Sequence, residues 1–169
     1  MQISIQQTIV SLTLGNKCAF VRVLKEDEIG PASVFVSHAY TYDFADVVEV
    51  ILLHEESFPN SFYWFDPFCM NQPDEYVIST EVLEKQFGEQ IKGIGKTIIV
   101  ASLWHEPQFL ARAWCLFELY ISVHTEVEVS IFLPERQRLQ FIEGITKDWE
   151  GCINALERID VPTKSKRFY

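Results

Sequence analysis

The chain has 169 residues, 48% hydrophobic, 14% aromatic and 22% charged, and 14 Lys+Arg against 24 Asp+Glu give a formal charge of -10. That length fits one domain with a real core, and only 7 Gly and 7 Pro beside such apolar content exclude disordered, collagen-like and low-complexity classes. An acidic surface repels phosphate backbones and anionic lipid, so nucleic acid and membrane are not expected partners, and any anion needs a local basic pocket.

No apolar run approaches the roughly 18 residues that cross a bilayer. The start, MQISIQQTIVSLTL, lacks the basic residues and apolar core of a signal peptide. Cys18, Cys69, Cys115 and Cys152 form no CxxC pair. Reduced thiols in a cytoplasmic protein are therefore expected, without a metal site or a disulfide framework.

Residues 1–32 form an extension that adds an edge strand or a helix. Ser33–His38 (SVFVSH) is β-branched and apolar on both faces, as a central parallel strand is. From Asp43 to Glu56, Phe44, Val47, Val48, Ile51 and Leu52 recur at helical spacing, with Asp43 as N-cap. Ser61–Asp66 is an aromatic second strand stopped by Pro67, and Cys69–Glu75 (CMNQPDE) reads as a loop. Ser79 or Thr80 caps a helix whose Leu83, Phe87, Ile91 and Ile94 share a face and which Gly95 ends. Lys96–Leu103 is a third strand, Arg112–Thr125 a third helix and Val127–Leu133 a fourth strand. Residues 135–157 read as one helix with Leu139, Ile142, Ile145 and Trp149 inward, before a basic, aromatic tail that reads as the cut end of a longer protein.

This alternation predicts one α/β domain over 1–169 with its core at about 33–133 and a C-terminal helix and tail over 134–169. The sheet is parallel and doubly wound, of flavodoxin type, with strand order 2-1-3-4, a fifth strand left open, and helices on both faces. Ligands of such sheets bind beyond the carboxyl ends of the strands at the switch point between strands 1 and 3. Strand 1 delivers Ser37 and His38 there, strand 2 Asp66, strand 3 Ser102, Trp104 and His105, and the third helix Trp114, Cys115 and Glu118. Glu118 shares a helical face with Trp114 and Cys115, and a carboxylate among aromatic side chains loses solvation and holds its proton more tightly. Such a group can hydrogen-bond sugar hydroxyls and stabilise an oxocarbenium-like centre; equally, it can pair with Arg112 or a backbone donor. His38 is either an acid–base imidazole or a packing residue, Cys115 either its thiolate partner or a small buried hydrophobe, and Asp66 either a ligand group or a turn cap. KGIGKT (92–97) precedes a strand where a phosphate loop follows one, so its glycines read as a helix stop.

VFVSHAY (34–40), FYWFDPFCMNQPD (62–74) and TIIVASLWHEPQFLARAWCLFEL (97–119) together resemble a Toll/interleukin-1 receptor (TIR) domain, of the divergent TIR-like branch. They match its first box, its second strand with the BB loop, and its W-C-x-x-E-L helix. The likeness spans about residues 33–133. Departures from the family pattern are Ser37-His38-Ala39 in the first box, no evident fifth strand beyond Leu133, and the N-terminal extension. The resemblance implies a flavodoxin-like fold and, as in many members, cleavage of NAD+ as substrate, with no cofactor, in a signalling, immune or cell-death setting. Glu118 then maps onto the essential glutamate, Ser37, His38 and Asp66 onto pocket positions, and Trp104 or Trp114 onto the stacking aromatic, with Ser102 beside them. Arg112 or Lys96 would meet the anionic substrate. Other members are non-catalytic adaptors that self-associate through the BB loop, where Phe68, Met70 and Tyr76 would form the contact patch. A nucleoside deoxyribosyltransferase-like enzyme, which also pairs such a sheet with a glutamate, is a third reading.

Overall fold

A computed structural model describes residues 9, 11–13, 18–71 and 80–157. Its four strands are β1 (Val34–Ser37), β2 (Tyr63–Phe65), β3 (Lys96–Val100) and β4 (Glu128–Phe132). All pairings are parallel and the order is β2-β1-β3-β4, the doubly wound arrangement expected from the alternation of elements. Each strand is shorter than its apolar run, because the ladder stops where a pairing partner stops. No fifth strand occurs among the described residues, and β4 is an edge.

Helices cover both faces. Helix α1 (Phe44–Ser57) packs Val47 and Val50 onto Val34, Val36, Ile98 and Val100. The opposite face carries α3 (Thr80–Ile94), through Phe87 and Ile91 on Phe35, and α4 (Ala113–His124), through Cys115 against Ile99. The alternation of β1 side chains thus feeds two half-cores from one strand.

Asp43 caps α1 as expected, its carboxylate accepting from the Ala45 amide at 3.2 Å. The buried stripe differs from the expected one. Val47, Val50 and His54 face the sheet, whereas Phe44 and Leu52 are exposed, Leu52 by 58%. His54 takes the inward seat because the Tyr63 hydroxyl lies 2.8 Å from its Nδ1 and its ring packs against Phe58 and Phe132. A polar residue seated by one such hydrogen bond and by ring packing escapes an apolar periodicity count.

Residues 66–69, expected as a strand end running into a loop, form the short helix α2 (Asp66–Cys69), with Pro67 in the first turn, where its missing N–H costs nothing. Gly95 ends α3 as expected. Its φ is +79°, and its amide donates to Ile91 O at 3.0 Å. A Cβ there meets open space, so the penalty of a side chain is conformational alone. Gly95→Ala is expected to lower the unfolding free energy by about 1 kcal/mol, read from the shift of a urea midpoint.

The C-terminal helix is two helices, α5 (Glu135–Lys147) and α6 (Trp149–Glu157). Asp148 leaves helical geometry between them, and its carboxylate accepts from the Gly151 amide at 2.8 Å. The inward face also differs. Gln137 is buried, and Gly144 lies against Trp104 and Cys152, while Leu139, Ile142 and Trp149 are exposed. The close approach that Gly144 permits sets which side of α5 faces the domain. Near the N-terminal end of the described chain, Phe20–Val23 and Glu26–Glu28 are 3₁₀ turns. Among the described residues, no helix is long and apolar enough to cross a membrane, and no group of three His, Cys, Asp or Glu is placed to hold a metal ion.

Candidate active site

After β1 the chain crosses to α1 on one face, and after β3 to α4 on the other. The crevice between these departures lies at the carboxyl ends of the strands. A cavity of about 170 Å³ opens there. His38, Tyr40, Asp66, Arg112, Cys115 and Glu118 supply its polar lining, and Met70, Phe87 and Trp114 its apolar walls. The acids come from separate elements, Asp66 from the start of α2 and Glu118 from the middle of α4.

Glu118 is buried, and the Ser37 hydroxyl donates to its Oε2 at 2.5 Å. Asp66 accepts from the Tyr40 hydroxyl, and its Oδ1 lies 3.4 Å from His38 Nδ1. The Arg112 guanidinium stands over the Tyr40 ring, 5.9 Å from its centroid. Trp114 leans on Phe87, with ring centroids 5.5 Å apart.

Burial sets the electrostatics. It pushes the Glu118 carboxyl from its ordinary 4.5 up to about 8, helped by the charge of Asp66. Asp66 rises from 3.8 to about 7, again by burial. Burial, and then the Arg112 charge, lowers His38 to about 4, so its imidazole is neutral at pH 7. The Tyr40 hydroxyl is pushed up by burial and by Asp66, and stays a donor. The cavity therefore holds two buried carboxyls that hold their protons more tightly than usual, a neutral imidazole and one guanidinium between aromatic walls.

Cys115 does not form a thiolate pair with His38. Its Sγ donates to the His38 carbonyl at 3.2 Å, and burial followed by the Glu118 charge pushes the thiol up to about 12. In the native protein at pH 8, iodoacetamide is expected to modify Cys18 while leaving Cys115 intact, as read by peptide mass spectrometry. Alkylation of Cys115 at a comparable rate would contradict this placement.

The crevice brings together Glu118, Asp66, His38 and Trp114 of the residues singled out in the sequence. Ser37 stands behind Glu118 rather than in the cavity wall. Ser102 donates to Asp46 of α1 at 2.7 Å, and Trp104 turns away to pack on Phe141, so neither lines the cavity. The turn after β3 carries these two towards α1 and α5. Lys96 begins β3, at the other end of the strand from the crevice, and pairs with Glu128 at 3.1 Å. Phe68, expected on an exposed contact loop, is half-buried against Phe20, Phe44 and Phe65. Met70, also half-buried, lines the cavity, and Tyr76 lies outside the described residues. The sequence alone does not mark Tyr40 and Phe87 as lining residues. Tyr40, three residues past Ser37, is within reach of the strand-end rule; Phe87 reads only as a core position.

No protein-family model matches the chain, and searches of curated proteins and of solved structures return no match. The class is accordingly defined by fold and site: a doubly wound, flavodoxin-like α/β domain with a buried pair of acids in its switch-point crevice.

Proposed function

We propose that the domain cleaves NAD+ at the nicotinamide–ribose bond, as a TIR-like glycohydrolase or cyclase acting in cytoplasmic signalling or cell death. The observation that carries this reading is Glu118, buried in an aromatic-walled cavity at the switch point. A volume of about 170 Å³ suits a single ring, since an apolar cavity of about 150 Å³ admits benzene. The nicotinamide end would enter, and the rest of the dinucleotide would lie outside, where Arg112 can meet a phosphate.

In the reaction the bond between the pyridinium nitrogen and ribose C1′ breaks, and its electron pair leaves with neutral nicotinamide. Positive charge develops on the ribose, and ionised Glu118 beside it stabilises that charge more than it stabilises the ground state. Water then attacks C1′ and loses a proton, giving ADP-ribose; attack by an adenine nitrogen gives the cyclic product instead. The pyridinium charge of the bound substrate also favours loss of the Glu118 proton, which readies the carboxylate when substrate is present. NAD+ is the substrate here, and the scheme calls on no cofactor.

Self-association with further TIR-like domains is part of the proposal, because enzymes of this kind work as assemblies. A purely non-catalytic adaptor is less well supported, since it needs Phe68 and Met70 at the surface and both are half-buried. The test is nicotinamide release from NAD+ by purified protein at high concentration with a crowding agent, beside Glu118→Ala. Release that disappears in the variant supports the reading, and equal release by a folded variant sinks it. Transfer of a deoxyribosyl group between bases would replace it with the transferase reading.

A further inference from the structure

We propose that Ser37 is the positioning residue of this site, fixing the rotamer and the ionisation of Glu118 through the hydroxyl–carboxylate hydrogen bond that joins β1 to α4. Ser37 ends the central strand β1 and is 1% exposed. The strand is paired on both sides, to β2 and β3, with Ser37 itself in register with Ile99, so its backbone has little freedom. Its hydroxyl reaches Glu118 Oε2 at 2.5 Å across 81 residues of sequence. Among the described residues it is the hydrogen-bond donor to that carboxylate, and it does not line the cavity. It therefore acts on a ligand indirectly, through Glu118 and through the Cys115 thiol that it also hydrogen-bonds.

The titratable and charged groups around Glu118 are Asp66 from α2, His38 and Tyr40 from the turn after β1, and Arg112 and Cys115 from the start of α4. Burial and Asp66 favour the protonated carboxyl, whereas the Ser37 hydroxyl and Arg112 favour the ionised one. Arg112 acts by charge alone, while Ser37 also has direction, holding one oxygen and leaving the other to the cavity. Removing the hydroxyl therefore raises the affinity of Glu118 for its proton and frees its rotamer. The consequence for turnover rests on the NAD+-cleaving function proposed above; the link between Ser37 and Glu118 does not.

The experiment titrates the Glu118 carboxyl by ¹³C NMR in the wild type, Ser37→Ala, Ser37→Cys and Ser37→Thr. Cysteine is nearly isosteric and only a weak donor, so it guards against a misfolded alanine variant, and threonine restores the hydroxyl. The midpoint should move up by about one pH unit in Ser37→Ala and Ser37→Cys and return in Ser37→Thr. With NAD+, release at pH 7 should fall about tenfold in Ser37→Ala and recover towards pH 9, with kcat affected and KM little changed. An unchanged or lowered midpoint in either folded variant overturns the proposal. If the midpoint moves while the wild type releases no nicotinamide, the function proposed above fails and the role of Ser37 in setting Glu118 stands.

Discussion

Glu118→Gln is expected to make the domain more stable at alkaline pH while removing its turnover. The native carboxyl holds its proton up to about pH 8, whereas in the unfolded chain it ionises near 4.5. Its folded value is raised, so its favourable contribution is complete below about pH 4.5 and is lost as the pH rises through 8. Between those limits the native state binds a proton that the unfolded state has released, and stability falls by up to about 1.4 kcal/mol per pH unit. Glutamine is neutral at every pH and still offers Ser37 an acceptor. The variant should match the wild type near pH 4 and exceed it by up to about 4 kcal/mol at pH 8. Asp66, raised from 3.8 to about 7, tilts stability the same way in both proteins. His38, lowered to about 4, opposes the tilt below its unfolded value of 6.5, because the unfolded chain then takes up a proton that the native imidazole refuses. Thermal midpoints of both proteins from pH 4 to 9 read the crossing directly. A glutamine variant less stable than the wild type at pH 8 would mean that Glu118 serves the fold instead of the site. A buried acid that costs stability is what a trade of stability for activity looks like.

Phe35→Ala should lower the unfolding free energy by about 3–5 kcal/mol, the upper range for truncating one core side chain. Phe35 is fully buried at the centre of β1. It stacks on Trp64 with centroids 4.8 Å apart, meets Phe87 edge-on at 6.2 Å, and packs with Ile91 of α3. Neighbours on a strand and a helix cannot all collapse into the space a ring leaves, so most of the cavity term remains. A urea midpoint shifted by less than a quarter of that free energy would show that this half-core is loosely packed. Ser37 lies two residues along on the same face of β1, so the substitution should also loosen its grip on Glu118.

The fold was largely legible because its strands are short apolar runs punctuated by Pro67 and Gly95, and because helical segments separate each strand from the next. What escaped was decided by partners that lie far away in sequence. His54 displaced Leu52 from the sheet face of α1 because Tyr63, on the next strand, could hydrogen-bond it. Leu139 and Ile142 ended up outside because Gly144 lets α5 approach Trp104 with its other side. At the site, the strand-end rule reached Ser37, His38 and Asp66, and a glutamate in an otherwise apolar helix marked Glu118. It overreached at Ser102 and Trp104, because the turn after β3 carries them towards α1 and α5. No rule of spacing reveals that Ser37 points at Glu118, since the two meet only once β1 and α4 are packed.

The most direct test of the central claim is nicotinamide release from NAD+ by the assembled wild type and by Glu118→Gln, on samples with matching circular dichroism. The expected result is release by the wild type and a rate lower by about 10²–10³-fold, or more, in the variant, the scale of losing one preorganised electrostatic contact in a water-poor site. Equal rates in the two proteins, or no release by the assembled wild type, would contradict the claim that this buried acid performs the chemistry of the crevice.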